Sequence, residues 1–349
     1  MDTTEVTANP EFPPQPILRA FARALHLARA HEGATAPNPP VGCVLLDAAG
    51  QELATGAHQR AGQAHAEAEA VAEARAAGLA DKVDSVVVTL EPCDHYGRTP
   101  PCSEAILGTA ARQVWIACRD PNPQVKGGGA KRLRAAGLDV HFLSDLHHPA
   151  AASLFAGAER LLAPFSKRSL TGLPFITIKQ AISSSGSMLP ATGQRTFTST
   201  TSLELAHRLR RRADAILTGS GTVLADDPLF TVRLVPDHPH KQRSLVILDR
   251  RRRVADPSLH AARQRGFAVH LADDVHQVLE MIGAAGGMEV LVEAGPTLTA
   301  HLLKAGLWDE HVLIEQAANA DGTDRVTIHH NLSPQTHLDG KENDVLGHH

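Results

Sequence analysis

His65 and Glu67 stand two residues apart, and Cys93 and Cys102 follow with eight residues between them. An imidazole and two thiolates make a three-ligand set for zinc. A zinc held by three protein ligands keeps a fourth position for water, whereas a structural zinc fills it with another Cys or His. His95 is the alternative fourth ligand, but it sits in a constrained loop between the cysteines. The carboxylate of Glu67 is spaced to stand beside such a metal rather than to bind it. There it can carry protons to and from the bound water.

The elements around these residues must bring distant positions together. Ala64 to Ala77 is rich in Ala and Glu and reads as a helix stopped by Gly78, so His65 lies at its start. Ser85 to Leu90 (SVVVTL) reads as a buried strand that delivers Cys93. Cys102 opens a helix that includes Ser103 to Leu107, and a helix N-terminus favours the thiolate. Ile17 to Ala30 is an amphipathic helix, Pro37-Asn38-Pro39-Pro40 a rigid turn, Val41 to Leu46 a strand and Ala48 to Gln51 a turn. Further strands are expected at Gln113 to Ala117 and Asp139 to Leu143, with a helix at Lys131 to Ala136. This alternation implies an α/β fold with parallel pairs.

The pattern turns polar at Ser144 to Ala150, followed by a helix from Ala151 to about Leu162. The domain boundary is placed there, between residues 147 and 148. A second α/β pattern has strands at Phe175 to Ala181, Ala215 to Leu217, Leu245 to Leu248, Ala268 to Leu271 and Glu289 to Val292. Its helices are Leu203 to Arg212, Val275 to Ala284 and Leu298 to Ala305. The expected division is a disordered extension over 1–15, a first domain over 16–147, a second over 148–330 and a polar tail over 331–349.

The chain has 349 residues, of which 43% are apolar and only 3% aromatic, so the cores must be built from Ala, Leu and Val. So few rings, with a net charge of −4, argue against a single-stranded nucleic-acid platform or a polyanionic partner. Four cysteines do not make a disulfide scaffold. Cys43 and Cys118 lie in apolar runs and read as small buried hydrophobes. The acidic, Pro-rich N-terminus has no apolar core region, and the expected location is the cytoplasm.

His-x-Glu followed by Pro-Cys is the signature of zinc deaminases. The set Asn38-Pro39, Val41-Gly42, His58, HAEAEA (65–70), TLEPCDHYGRTPPC (89–102) and RDPNPQVKGGG (119–129) narrows it. It closely resembles the deaminase half of the bifunctional riboflavin-biosynthesis deaminase/reductase family. The long, Gly-Arg-Thr-Pro-Pro-containing loop between the cysteines is more specific than the zinc motif. The resemblance implies a cytidine-deaminase-like three-layer domain with His65, Cys93 and Cys102 on Zn2+ and Glu67 as proton shuttle. It also implies Asn38, His58, His95, Arg98, Asp120 and Asn122 in the substrate pocket. His95 and Arg98 suit a ribose phosphate, while Asp120 and Asn122 also fit a plain Pro-bounded turn. Many family members carry His where this chain has Glu69, which reads as a solvated helix carboxylate.

In the second half, Lys179, Arg210, LTGSGTVLADDP (217–228), Arg233 and LVEAGPTL (291–298) resemble the reductase domain of the same family, which has a dihydrofolate-reductase-like fold. The resemblance implies substrate contacts from Lys179, Arg210, Asp226, Arg233 and Glu293. It places a cofactor, NADPH, near Thr198, Gly219, Gly221 and Thr222. The other arginines of the 208–212 and 250–253 runs read as a solvated face. Departures gather on the cofactor side: Ser183-Ser184-Ser185-Gly186 replaces Ser-Leu-Asp-Gly, the segment at Gly193 to Thr198 lacks a serine and a tryptophan, and the last strands read as shortened or absent. Two readings follow. One is deamination of a phosphoribosylated diaminopyrimidine followed by NADPH-dependent reduction of its ribosyl group, by a homo-oligomer acting on a small molecule. The alternative keeps the deaminase and assigns a non-reducing second domain to a branch pathway of the toxoflavin type.

Overall fold

The computed structural model describes residues 15–96, 100–122, 128–189, 196–317 and 322–331. The expected N-terminal extension before Gln15, Arg98, Gly193 to Arg195, and the tail after Asn331 lie outside these residues.

The first half contains α1 (Gln15–Ala30), β1 (Gly42–Leu46), β2 (Glu52–Ala57), α2 (Ala66–Ala76), β3 (Ser85–Leu90), α3 (Cys102–Leu107), β4 (Gln113–Cys118), α4 (Gly128–Ala135) and β5 (Asp139–Phe142). Its sheet has the order β2-β1-β3-β4-β5. β1 runs antiparallel to both β2 and β3, and β3, β4 and β5 are parallel. The strand β2 was not expected. Its pairing with β1 carries a register shift between Leu45 and Leu46, and its alternation is too weak to read from the chain. β3 is buried at every residue, as a central strand covered on both faces must be. The core around it holds Phe21, Leu45, Val87, Ile106, Trp115 and Leu133, all below 2% exposure.

The expected 147/148 boundary falls just before α5 (Pro149–Thr171), which is longer than its sequence pattern suggests and runs through Pro164 to a left-handed cap at Gly172. Ala151, Ala158, Leu161 and Leu162 of α5 lie in the first core, while Arg168 Nε donates to Gly283 O of the second half at 3.0 Å. The helix therefore packs on both halves.

The second half contains β6 (Phe175–Ile182), α6 (Thr200–Arg212), β7 (Ala215–Gly219), α7 (Ser220–Asp226), β8 (Arg243–Leu248), α8 (Asp256–Gln264), β9 (Phe267–Ala272), α9 (Val275–Ala284), β10 (Glu289–Val292), α10 (Pro296–Lys304), β11 (Glu310–Glu315) and β12 (Arg325–His330). The sheet order is β12-β11-β6-β10-β7-β8-β9, parallel except for β12 against β11. The last strands are present, contrary to the expectation from sequence: β11 pairs with β6 and β12 with β11, each over six residues. β12 escapes a periodicity reading because it is exposed on both faces apart from Thr327.

One glycine shows how tightly the first half is closed. A Cβ on Gly129 of α4 would lie 1.8 Å from the carbonyl oxygen of Pro92, the residue before Cys93. Only a residue without Cβ lets α4 approach the loop there. Gly129→Ala is expected to cost about 1–3 kcal/mol, read as a lower urea midpoint with weaker zinc retention. A variant as stable as the parent would show that the approach is not required.

Candidate zinc site and second-half cationic cluster

His65 is the N-cap of α2 in an extended conformation (φ −74°, ψ 161°), so its ring leaves the helix end instead of lying along its side. Cys102 is the first residue of α3, and Cys93 lies beyond β3. His65 Nδ1 is 3.7 Å from Cys93 Sγ and 3.3 Å from Cys102 Sγ. The three ligand atoms all fall within 4.8 Å of one another, and this is the one such cluster of three among the described residues. His95 is not part of it and is exposed. An imidazole and two thiols converging without a fourth protein ligand among the described residues fit a zinc ion with an open position.

Glu67 lies in the first turn of α2 and is 4% exposed. Burial pushes its carboxyl up to about 7, against the pull of nearby His65, and Cys102 is hydrogen-bonded to it. The two thiols share one proton: Cys102 donates to Cys93, which holds Cys93 down at about 4 and drives Cys102 upward. Cys43 and Cys118 are buried and, with their thiols raised by desolvation, behave as the small hydrophobes expected. All four cysteines are free.

The structure brings Asn38 and His58 to the same place. His58 Nδ1 donates to Ala64 O at 2.9 Å, leaving Nε2 to accept from Asn38 Nδ2 at 3.2 Å. The His58 ring stands edge-on to His65 with centroids 5.3 Å apart. Asp120 accepts from the backbone N–H of Asn122 at 2.8 Å. Burial raises the Asp120 carboxyl. Glu69 is not a solvated carboxylate: it accepts from Ala57 N at 3.0 Å and Gln59 Nε2 at 2.6 Å and ties α2 to the end of β2. Its partners lie on an element the sequence did not reveal.

Sequence reasoning missed the groups that hold the loop. Glu91 is 4% exposed and accepts from Ala130 N at 3.1 Å and Asp120 N at 3.4 Å. Asp94 accepts from Ser103 Oγ at 2.6 Å and from Arg132 at 2.8 Å, and Arg132 also reaches Glu104. Glu91 and Asp94 both belong to the TLEPCD run and could have been singled out from it.

In the second half, Arg210 grips Glu293 through two bonds of 2.6 and 3.1 Å, and Lys179 Nζ lies 3.2 Å from the same carboxylate. Burial alone would raise Glu293, but the two cations hold it down to about 2. Arg233 joins through Thr231, whose carbonyl Arg210 also contacts. His207, another residue not foreseen, accepts from Arg233 N at 2.8 Å and is lowered to about 4 by burial, Arg210 and Arg233. Asp226 is exposed at the end of α7 and is not among the partners of this cluster in the described residues. Gly219 caps α7, Gly221 has open space around it, and Thr222 Oγ1 accepts from Gly295 N at 3.0 Å. Thr198 turns instead toward Thr196, at 3.0 Å between hydroxyls. Arg212 is no solvated arginine: it meets Glu289 at 2.7 Å and pairs with Glu310.

A three-ligand pocket over a buried glutamate, on a mixed sheet, defines a zinc deaminase domain, here joined to a parallel α/β domain with a cationic cluster. Residues 15–118 match the cytidine and deoxycytidylate deaminase zinc-binding region, and residues 174–316 match the RibD C-terminal domain. The riboflavin biosynthesis protein RibD of Escherichia coli (strain K12) is 37% identical over 328 residues, covering 84% of this chain and 85% of that protein. RibD of Mycobacterium tuberculosis (strain ATCC 25618 / H37Rv) is 38% identical over 295 residues, covering 83% of each. Among solved structures, Acinetobacter baumannii RibD, form 2, superposes with a TM-score of 0.72 at 31% identity, covering 89% of both chains. The diaminohydroxyphosphoribosylaminopyrimidine deaminase/5-amino-6-(5-phosphoribosylamino)uracil reductase of Thermotoga maritima gives 0.74 at 28% identity, covering 88% of this chain and 89% of that one. The chain belongs to the RibD family of bifunctional riboflavin-biosynthesis deaminase/reductases. No helix among the described residues is long and apolar enough to cross a membrane.

Two outcomes are expected. Purified protein holds one zinc per chain by elemental analysis, and Cys102→Ala loses it; full retention in the variant would exclude Cys102 as a ligand. Glu293 is lowered from its ordinary 4.5 to about 2, so its contribution is complete above pH 4.5 and lost as pH falls toward 2. That contribution is about 3 kcal/mol. Urea unfolding of the second half, read from Trp308 in a Trp115→Phe background, should weaken over this window and should do so less in Glu293→Gln. Equal acid sensitivity in both proteins would remove Glu293 as the cause.

Proposed function

We propose that the chain catalyses two consecutive steps of riboflavin biosynthesis. The first is hydrolytic deamination of 2,5-diamino-6-(phosphoribosylamino)pyrimidin-4-one. The second is reduction of the ribosyl group of the deaminated product. The observation that carries the reading is the buried Glu67 beside the open His65, Cys93 and Cys102 set.

When bound by His65, Cys93 and Cys102, zinc supplies a water acidified enough to act as a nucleophile near neutral pH. Glu67 accepts the proton of the attacking water and returns it to the amine that leaves as ammonia. Its raised affinity for protons suits both halves of that task, because a group titrating near the working pH gives and takes with similar ease. Asn38 and His58 orient the pyrimidine, with the His58 tautomer set by Ala64 O. Asp120 and Asn122 offer hydrogen bonds to it, and His95 and Arg98 hold the ribose phosphate.

In the second domain, Lys179, Arg210 and Arg233 provide positive charge for the phosphosugar and Glu293 keeps the cations aligned. Asp226 is assigned to the substrate side as well. NADPH supplies hydride when bound. The fit rests on Gly219, which starts α7 at the end of β7 with no side-chain cap, and on the open space around Gly221, where a phosphate can approach the backbone. Gly221, Thr222 and Thr198 complete the assigned cofactor side. The intact Lys179, Arg210 and Glu293 cluster favours a working reductase over the non-reducing alternative. In this reading the enzyme is cytoplasmic and homo-oligomeric and takes a small molecule, not nucleic acid.

Glu67→Gln should keep its zinc and lose ammonia release by roughly 10²–10⁴-fold. Undiminished release would sink the role given to Glu67. With the deaminated substrate, NADPH oxidation should depend on Lys179, and turnover equal in Lys179→Ala would remove that lysine from the site.

A further inference from the structure

The segment that leaves α1 and leads to Asn38 is held by side chains of the second domain. Arg211 Nη2 donates to Ala30 O at 2.6 Å, and His238 Nε2 donates to Glu32 O at 2.9 Å. Lys241 Nζ donates to Gly33 O, and also to Arg212 O and Asp214 Oδ1, both at 2.8 Å. These three bonds use every N–H of the ammonium, and the Lys241 side chain is only 6% exposed. Gly33 makes the approach possible. It has φ +84°, and a Cβ there would lie 2.4 Å from Arg212 Cα.

Two domains can adhere through apolar area alone. Burying an ammonium costs free energy unless its bonds are well formed, and what such bonds add is direction. They fix where the backbone of 30–33 lies. From Gly33 the chain passes to Asn38, whose amide holds His58 Nε2, and His58 stands against His65. The donors come from the last turn of α6 and the segment before β8, so the second domain reaches the first domain's pocket without entering it.

We infer that Lys241 is a positioning residue for deamination: with Arg211 and His238 it fixes the Ala30 to Gly33 backbone and so the placement of Asn38 against the pyrimidine. This rests on the deaminase function proposed above. The reductase domain is then a structural part of the deaminase site.

The test uses the full-length zinc-loaded enzyme and three variants: Lys241→Met, Arg211→Met and Gly33→Ala. Arg211→Met removes one exposed contact and guards against a folding failure in the other two. Ammonia release is measured against substrate concentration, alongside zinc content, thermal midpoint and NADPH-dependent reduction of the preformed deaminated substrate. The expected result is a rise in KM for deamination, roughly 10-fold or more in Lys241→Met and Gly33→Ala and smaller in Arg211→Met. Zinc content and reduction stay at the parent level. Unchanged deamination in all three variants overturns the inference. So does a parallel fall of both activities with the thermal midpoint, which marks general scaffolding. No ammonia from the parent enzyme would instead sink the deaminase reading, and this inference with it.

Discussion

Three ligands and a carboxylate must be packed together in a site from which most water is excluded, and the first half of the molecule is organised by that constraint. Burial raises Glu67, and the hydrogen bond from Cys102 holds Cys93 down while Cys102 keeps its proton. The fold holds this arrangement with elements that cannot easily part. His65 projects from the end of α2, Cys102 starts α3, and α2 packs on β1 and β2 and against α3, which also meets α4. The Asp94, Ser103 and Arg132 bonds and the Gly129 contact then close the loop from the outside.

The second half meets a similar problem with the opposite balance. A buried carboxylate, Glu293, is surrounded by more positive charge than it neutralises, and so stays ionised far below its ordinary range. The surplus cation is what a phosphosugar requires. Neighbouring residues on α6 serve different ends. Arg210 faces Glu293, Arg211 reaches Ala30 of the first half, and Arg212 pairs with Glu289 and Glu310. One helical turn spreads successive side chains about 100° apart, and a run that looks like a charged surface becomes three separate connections.

The cluster of His65, Cys93 and Cys102 was legible because zinc chemistry restricts both residue type and spacing, and the eight-residue loop between the cysteines restricts it further. The helix and strand positions around them followed from strong apolar patterns, as in SVVVTL, whose bounds agree with β3. Elements whose residues are half-covered or fully exposed left weaker traces. β2 joins by antiparallel pairing across a register shift, and β12 shows almost no alternation of burial. α5 continues through Pro164, where the residue type argues for a stop. Glu69 and Arg212 were misread for one reason: a charged residue looks solvated until its partners are known, and those partners lie on other elements.

The sequence by itself determined the donor atoms, the carboxylate beside them, the two α/β halves and the family. These depend on residue identity and local periodicity, which a linear chain displays. Only the tertiary structure decided which charges meet. It joined Lys179 and Arg210 to Glu293, left Asp226 apart, turned Glu69 onto β2 and brought Lys241 to Gly33 of the other half. Electrostatic partnership acts through distance and burial, and neither quantity exists until the chain has folded.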